Sequence, residues 1–384
     1  MNKLGSVGYY DLHENPGLNF TLNRLARTIP PEELKTLSAR ISSLDDWIAE
    51  MRAAGEQAEG QGRLLEAARY FQGAEFYMKL GDTGKAEIYQ RSIELMNRAL
   101  PDMAAARDFV PYQSGTLPAI RIPAIDEERD VLLIHSGFDG LVEEMYPLLE
   151  PFVAAGYTVI AFEGPGQGAA LRTSNLHMPF NWEEPVRAIL DHYGIESCTL
   201  IGMSLGGYLA PRAAAFERRI KRVVAWGAMF DFFEVYRQRL GDTKFKLLRK
   251  LLDMNLSGIV DGLINKARKQ EGILDWAVSH GMHVSGKKSP SEFLQWVRTL
   301  NLRDSAHLID QDVLLIMGSE DHLVPTNQLY VQAEAMTGAR SVTSVMMTGE
   351  DSAAQHCQVG NTSLAVNQII DWLKLLEVRD KQGT

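Results

Sequence analysis

A serine lies between an apolar segment and an Ala-rich segment in the stretch LIGMSLGGYLAPRAAAF, residues 200–216. The Gly-x-Ser-x-Gly pattern fits a sharp turn from a buried strand into a helix, which exposes the side chain of Ser204. Gly202, Gly206 and Gly207 supply the small residues that such a turn needs. A serine placed there can act as a nucleophile, but a tight packing turn accounts for the same pattern. The rest of the sequence must decide between these two interpretations.

A serine hydroxyl needs a base to remove its proton, and that base needs an oriented carboxylate. The segment LLIMGSEDHLVP places Asp321 in the loop after an apolar strand, and GEDSAAQHCQVGN places His356 after the next strand. The order serine, acid, histidine is one of the known chain orders for such triads, and the separation leaves room for one helix and one strand. We therefore expect Asp321 and His356 to reach the same edge of the sheet as Ser204.

Other residues compete for the roles of acid and base. Asp321 can instead cap the following helix, and either Glu320 or Asp231 can supply the carboxylate. His322 adjoins the predicted acid and is too close to it in sequence to reach across to Ser204. The remaining histidines lie where a lone histidine is more often structural: His13, His135, His177, His192, His280, His283 and His307.

A tetrahedral intermediate also needs amide donors for its oxyanion. The Leu205 N–H directly follows the serine, and the segment LLIHSGFDG supplies the Phe138 N–H, next to Gly137, where the backbone can approach closely. Asp139 and Glu143 fit the cap and first turn of the next helix, where the helix dipole favours acids. Contact of Asp139 or Glu143 with substrate is a second interpretation, because binding residues often lie on such loops.

The segment FEGPGQG, residues 162–168, follows an apolar strand and is rich in glycine. It lacks the Lys-Ser/Thr pair of a phosphate-binding loop and the Gly-x-Gly-x-x-Gly spacing, so we exclude nucleotide binding there. A structural turn in which Glu163 fixes the neighbouring loops fits the segment better. His135 lies at the end of an earlier apolar segment, LLIH, and we expect it to anchor the loop that follows that segment.

The sequence changes character near Pro101. Before it, apolar residues recur at spacings of three and four, which predicts helices. After it, runs of Val, Ile and Leu alternate with helical segments, which is typical of a mostly parallel sheet with helices on both faces. We predict an α/β fold with an N-terminal helical domain at 1–107, a sheet domain at 108–231 and 307–384, and a helical cap at 232–306 over the strand ends.

Composition excludes several function classes. With 384 residues, 45% of them hydrophobic, the chain can bury a large core. The formal net charge of −10 argues against nucleic acid or an anionic membrane as a partner. The sequence lacks a signal-peptide pattern and an apolar run of membrane-spanning length, which predicts a cytoplasmic protein. Its two cysteines, Cys198 and Cys357, lack metal-ligand spacing and are expected to be reduced thiols.

Taken together, these motifs resemble the α/β-hydrolase superfamily, and more narrowly a branch with an N-terminal helical domain. That branch includes 2,6-dihydroxypseudooxynicotine hydrolase, the fungal melanin-pathway hydrolase that shortens a heptaketide, and the fermentation-respiration switch esterases. The resemblance covers most of the chain, and its more specific parts are the helical arm and the HCQ motif at 356–358. It implies Ser204 as nucleophile, Asp321 as acid and His356 as base. It also implies a substrate cavity between cap and sheet, no cofactor, and a homodimer.

The resemblance further implies a substrate class. Members of the branch cleave carbon–carbon bonds beside a ketone, as in β-diketones and polyketides, or cleave esters. We expect a small apolar or aromatic ketone or ester from secondary metabolism or catabolism. Cap residues such as Trp276 and Met282 are candidates to contact it, although a role in the cap core explains many of them equally well. Asp231 and Glu234 are candidates for a further carboxylate at the site.

Two alternatives stay open at this stage. Within enzymes, the alternative is a carboxylesterase or thioesterase acting on a secondary metabolite, because the same triad serves both kinds of bond. From another class, the alternative is a non-enzymatic binding or regulatory protein that has kept the hydrolase scaffold.

Overall fold

One mixed sheet organises the part of the chain that carries the predicted site. In this computed structural model, which describes residues 7–382, the sheet has eight strands: β1 (Arg107–Tyr112), β2 (Gly115–Ile122), β3 (Val131–His135), β4 (Thr158–Phe162), β5 (Cys198–Met203), β6 (Ile220–Trp226), β7 (Asp312–Gly318) and β8 (Ser341–Met347). Their spatial order is β1-β2-β4-β3-β5-β6-β7-β8. The strands from β3 to β8 run parallel to one another, and the β1–β2 hairpin adds antiparallel to β4. The predicted α/β fold with a mostly parallel sheet is confirmed.

The parallel strands are apolar because both of their faces are covered. Every residue of β4, β5 and β7 is buried, and the three strands consist largely of Val, Ile, Leu and other apolar residues. Such strands show no alternation of polar and apolar residues, since neither face meets water. All parallel strands end at one edge of the sheet, so the loops after β3, β5, β7 and β8 meet there.

Helices surround the sheet and build the N-terminal region. In chain order they are α1 (Pro16–Leu25), α2 (Pro31–Ser38), α3 (Leu44–Gly60), α4 (Leu64–Tyr77), α5 (Lys85–Ala99), α6 (Pro101–Ala105), α7 (Val142–Met145), α8 (Glu150–Ala154), α9 (Gly168–Arg172), α10 (Glu183–Tyr193), α11 (Gly206–Ala214), α12 (Val235–Asp253), α13 (Ser257–Arg268), α14 (Gly272–Ser285), α15 (Pro290–Val297), α16 (Gln328–Ala335) and α17 (Thr362–Gln382). Over the described stretch of the chain, none of the helices combines the length and apolar character needed to cross a membrane.

The chain divides into two structural units. One contains residues up to Ala106 together with Leu251–Phe293, and the other contains Arg107–Lys250 together with the residues from Leu294 to the C-terminus. The segment 232–306, predicted as a separate helical cap, is thus divided between the two units. It is helical throughout most of its length, as its sequence indicates.

The N-terminal unit has a core of tightly packed helices. Trp47 of α3 is fully buried, and its indole N–H donates a 2.8 Å hydrogen bond to the carbonyl of Gly73 in α4. A Cβ added at Gly55 would lie 3.1 Å from the ring of Phe71, which shows how closely α3 and α4 approach. The buried carboxylate of Glu75 in α4 is paired, with Lys85 Nζ at 2.7 Å.

Trp276 of α14 belongs to the same unit. Its indole N–H donates a 2.6 Å hydrogen bond to the carbonyl of Phe76, and its ring packs against the rings of Phe76 and Tyr77. The imidazole of His280 stacks on the same indole at 5.3 Å. These contacts explain why Leu251–Phe293 groups with the N-terminal helices.

We expect opposite stability effects from two Gly→Ala substitutions. At Gly207, an added Cβ would lie 1.9 Å from the carbonyl oxygen of Gly227, so Gly207→Ala should destabilise the protein by about 1–3 kcal/mol or more. At Gly262, on the exposed surface of α13, an added Cβ meets no atom within 4 Å, so Gly262→Ala should stabilise it by about 0.5–1 kcal/mol. Urea denaturation measures both effects. A neutral result for Gly207→Ala would contradict this packing.

Candidate active site

The turn at Ser204 has a strained backbone. β5 ends at Met203, α11 begins at Gly206, and Ser204 between them has φ of 60°, in the left-handed region. Its N–H donates a 2.8 Å hydrogen bond to the Trp226 carbonyl, and its own carbonyl accepts one from the Gly207 N–H. This conformation costs an L-residue about 1–2 kcal/mol. A strained residue persists only where the surrounding structure holds it in place, and such residues are most common at functional sites.

The structure brings Ser204, His356 and Asp321 into one hydrogen-bonded chain. His356 Nε2 lies 2.8 Å from Ser204 Oγ, and His356 Nδ1 lies 2.6 Å from Asp321 Oδ2. An ionised carboxylate only accepts hydrogen bonds, so the neutral imidazole carries its proton on Nδ1. Nε2 is then free of a proton and can accept one from the Ser204 hydroxyl.

The Asp321 carboxylate is itself fixed. Its Oδ1 accepts hydrogen bonds from the backbone N–H groups of Leu323 and Val324, both at 2.9 Å. The other oxygen, Oδ2, is therefore directed at His356. Sequence reasoning allowed Asp321 to be a helix cap, and these two amide contacts show that the carboxylate also orders its own loop.

Charge interactions within these buried, hydrogen-bonded side chains shift the pKa values of Asp321 and His356. Burial by itself would raise the pKa of Asp321, but the neighbouring His356 outweighs it and lowers that pKa below its usual value. Burial by itself would lower the pKa of His356, but the Asp321 carboxylate outweighs it and raises that pKa well above 6.5. The pair is thus stabilised in its charged form, which is the form a base reaches after taking a proton.

The histidine loop contains two further residues in the left-handed region. Cys357 has φ of 50° and Gln358 has φ of 52°. The indole N–H of Trp226 donates a 2.6 Å hydrogen bond to Gln358 Oε1, and Cys357 Sγ lies 3.6 Å from the Trp226 carbonyl. Trp226 therefore contacts the loop of His356 with both its indole and its carbonyl.

Sequence reasoning did not assign a role at the site to Trp226 or Gln358. Gln358 lies within the HCQ motif, and Trp226 belongs to none of the motifs that sequence reasoning singled out. An available signal was the tryptophan itself, because a buried indole N–H at a strand end requires a hydrogen-bond acceptor. The partner that satisfies it lies on a distant loop.

The predicted oxyanion donors lie on two loops that touch. An added Cβ on Gly137 would be 2.5 Å from Leu205 N and 3.0 Å from Ser204 Cβ, so only glycine fits there. Phe138 follows directly, and its ring packs against that of Phe232 at 5.6 Å. The backbone of the loop after β3 therefore lies against the Ser204 turn.

The competing carboxylates have other partners. Asp231 lies 2.6 Å from Arg303 Nη2 and accepts a hydrogen bond from the backbone N–H of Phe233. Glu234 pairs with Arg237, and the exposed Glu320 accepts a hydrogen bond from Gln355 Nε2. The carboxylate in contact with His356 is Asp321.

His135 and Glu143, near the end of β3, have partners within the protein. The buried His135 accepts a hydrogen bond from the Trp182 indole at Nε2, and its Nδ1 lies 2.8 Å from the Ser136 carbonyl. Burial lowers the pKa of His135 to about 4, so this ring stays neutral and anchors its loop. Glu143 is buried 2.7 Å from Arg107 Nη2. Asp139 does not cap α7, because Leu141 occupies the N-cap position.

The remaining predicted contacts lie in the N-terminal unit. Trp276 contributes to the aromatic cluster with Phe76 and Tyr77, and Met282 is half-buried on the same helix. Contact of either side chain with substrate stays a prediction. Across residues 7–382, no group of three or more His, Cys, Asp and Glu side chains is arranged to hold a metal ion.

Comparison with known proteins decides the family. A family model described as the alpha/beta hydrolase fold matches residues 130–345. The chain belongs to this family. The match includes β3 to β7, Ser204 and Asp321.

Several hydrolases are similar to this α/β hydrolase over much of its length. The hydrolase acrC of Aspergillus aculeatus is 28% identical, and the match spans 66% of each chain. The 20-hydroxy-prefusarin hydrolase FUS2 of Gibberella moniliformis is 25% identical over 92% of this chain and 95% of its own. Wild-type AbyA5 superimposes with a TM-score of 0.69 at 19% identity, covering 93% of this chain and 94% of its own. The 2,6-dihydroxy-pseudo-oxynicotine hydrolase gives 0.58 at 18% identity, covering 87% and 88%. The two solved structures share the fold.

We expect two histidines of this α/β hydrolase to titrate on opposite sides of pH 6.5. Burial, followed by repulsion from His356, lowers the pKa of His322 to about 4, whereas Asp321 raises that of His356 well above 6.5. Imidazole NMR signals followed from pH 4 to 9 should show His356 titrating and His322 staying neutral over most of this range, and His322→Gln assigns them. Asp321→Asn should lower the pKa of His356. An unchanged His356 titration in that variant would contradict the assigned charge interaction.

Proposed function

We propose that this α/β hydrolase acts through Ser204, His356 and Asp321 as nucleophile, base and acid. The observation that carries the proposal is the unbroken chain of hydrogen bonds, 2.8 Å from Ser204 Oγ to His356 Nε2 and 2.6 Å from His356 Nδ1 to Asp321 Oδ2. The buried carboxylate holds the imidazole in the tautomer that can accept the serine proton. It also stabilises the imidazolium that forms when the proton moves.

The reaction has two stages. Ser204 Oγ attacks the substrate carbonyl carbon while His356 Nε2 takes the hydroxyl proton, and the carbonyl oxygen becomes an oxyanion. The N–H groups of Leu205 and Phe138 are the proposed donors to it, and one such donor contributes about 3–4 kcal/mol to transition-state stabilisation. The intermediate collapses, His356 protonates the leaving group, and an acyl group stays on Ser204. Water activated by His356 then releases the acid.

The proposed substrate is a small apolar or aromatic ketone that is cleaved at the bond beside its carbonyl. A β-diketone or polyketide-like compound suits this reaction, because the second carbonyl stabilises the carbanion that leaves and is then protonated on carbon. The similarity over most of the chain to a hydrolase named for 20-hydroxy-prefusarin supports a secondary metabolite. We further propose a homodimer, on the resemblance to the branch with an N-terminal helical domain.

A carboxylesterase or thioesterase is the second candidate. The same three side chains serve it, since an alkoxide or thiolate then leaves in place of a carbanion. The relative acrC is named only as a hydrolase, which is compatible with either kind of bond.

Removal of the nucleophile or the base should abolish turnover. We expect Ser204→Ala to lose all labelling by a fluorophosphonate probe, and both Ser204→Ala and His356→Ala to lower kcat by roughly three to six orders of magnitude. Circular dichroism should show both variants folded. The matched control is Ser197→Ala, at an exposed serine before β5, which should label and turn over as the wild type does. A wild-type protein without serine-dependent labelling would instead favour a non-enzymatic binding protein.

The kind of bond can be read from the products. A β-diketone with no hydrogen on the carbon between its two carbonyls, and an ester that shares one of its acyl groups, are incubated with the enzyme in D2O, and the products are analysed by mass spectrometry. Carbon–carbon cleavage should give the acid and a ketone that carries one deuterium on the carbon that left, because the carbanion is protonated there. Consumption of the ester alone would reject the proposed ketone substrate and leave the esterase.

A further inference from the structure

The side chain of Gln167 holds the loop that carries the proposed second oxyanion donor. It lies in the FEGPGQG segment after β4 and is only 1% exposed. Its Nε2 donates hydrogen bonds to two consecutive carbonyls, Ser136 O at 2.8 Å and Gly137 O at 2.7 Å. Its Oε1 accepts one from the Gly164 N–H at 2.8 Å. Both amide hydrogens are thus used on the loop after β3.

Peptide planarity turns these two contacts into control of two N–H directions. In a trans peptide the C=O and the following N–H lie in one plane and point in opposite directions. The Gly137 carbonyl and the Phe138 N–H belong to one such unit. Because Gln167 fixes the Gly137 carbonyl, it also fixes the direction in which the Phe138 N–H points. The Ser136 carbonyl sets the Gly137 N–H in the same way.

The Gly137–Phe138 peptide depends on Gln167 more than the Ser136–Gly137 peptide does. The Ser136 carbonyl has a second contact, His135 Nδ1 at 2.8 Å, whereas over the described residues Gln167 is the donor to the Gly137 carbonyl. Close approach to Leu205 N requires glycine at 137, and glycine leaves the adjoining peptides free to rotate. A fixed partner is needed to compensate for that freedom.

Glu163 secures the other end of the same loop. Its Oε1 accepts a 2.9 Å hydrogen bond from the N–H of Val142 at the start of α7, and its Oε2 accepts a 2.7 Å hydrogen bond from Ala169 in α9. The FEGPGQG segment therefore holds the β3–α7 loop at both ends, through Gln167 and through Glu163. Of these two side chains, Gln167 is the one hydrogen-bonded to the peptide that adjoins the Ser204 turn.

We propose that Gln167 is a positioning residue that aims the Phe138 N–H at the oxyanion. The proposal rests on the proposed function, since it assumes that Ser204 forms a tetrahedral intermediate. It assigns a role to a glutamine that touches neither substrate nor the three reacting side chains. Its effect should be on the transition state, where the oxyanion exists, and not on binding of the planar carbonyl substrate.

The test compares two Gln167 variants with a matched glutamine. Gln167→Met removes both donors at similar volume, and Gln167→Glu keeps the acceptor for the Gly164 N–H but loses the donors. The control is Gln311→Met, because the buried Gln311 also donates to a backbone carbonyl, that of Ala214 at 2.8 Å, at the far end of α11. For each protein, kcat and KM are measured, together with inhibition by a trifluoromethyl ketone that forms a tetrahedral adduct with Ser204.

We expect both Gln167 variants to lose about 10- to 10³-fold in kcat while KM changes less than about 3-fold, because one oxyanion donor is worth up to about 10³-fold. The inhibition constant of the trifluoromethyl ketone should rise by the same factor as kcat falls. Gln311→Met should lose stability without either change. If Gln167→Met does not fold, the comparison is made with Gln167→Glu.

Three outcomes would overturn the proposal. Wild-type kcat and inhibitor affinity in folded Gln167 variants would show that the Phe138 N–H does not need this residue. Equal changes in kcat for Gln167 and Gln311 variants, or failure of both Gln167 variants to fold while Gln311→Met folds, would assign Gln167 a structural role. The Ser204→Ala variant separates failure of this proposal from failure of the proposed function. Activity retained in Ser204→Ala would contradict the proposed function. An inactive Ser204→Ala with unaffected Gln167 variants would contradict only the positioning role of Gln167.

Discussion

The left-handed backbone of Ser204 is the constraint on which the arrangement of the site depends. β5 gives way to α11 within two residues through this conformation of Ser204, which costs about 1–2 kcal/mol. The cost is offset by hydrogen bonds from the Ser204 N–H to the Trp226 carbonyl and from the Gly207 N–H to the Ser204 carbonyl. Glycine at 207 lets α11 approach the Gly227 carbonyl, where any side chain would collide.

Trp226 connects this constraint to the loop of His356, the proposed base. Its carbonyl contacts both the Ser204 N–H and Cys357 Sγ, and its indole binds Gln358. The loops of Ser204 and His356 therefore share one buried residue at the end of β6. Comparable contacts come from Gln167 and Glu163 to the loop after β3. The parallel sheet brings the loops to one edge, and buried polar side chains then fix their relative positions to within hydrogen-bond distance.

Much of the fold and part of the site were predictable for local reasons. The parallel strands bury both faces, so β4, β5 and β7 appear in the sequence as continuous apolar runs. The Gly-x-Ser-x-Gly pattern marks Ser204, because the turn restricts the residues beside it.

The choice of Asp321 over Asp231 was not decided by the sequence, since both follow strands. In the structure, Asp231 is hydrogen-bonded to the Arg303 guanidinium, and the Asp321 carboxylate is hydrogen-bonded to His356. The cap assigned to Asp139 was wrong, because α7 begins after Leu141.

By itself, the sequence determined the fold class, the order of the chemically able residues, and the strand ends at which they lie. These follow from hydrophobic periodicity and from short motifs, which act over a few residues. Only the tertiary structure decided which side chains meet: the pairing of Trp226 with Gln358, the contact of Gln167 with Gly137, and the grouping of Leu251–Phe293 with the N-terminal helices. Such partners are set by packing between segments that are remote in the chain, and no local pattern encodes that packing.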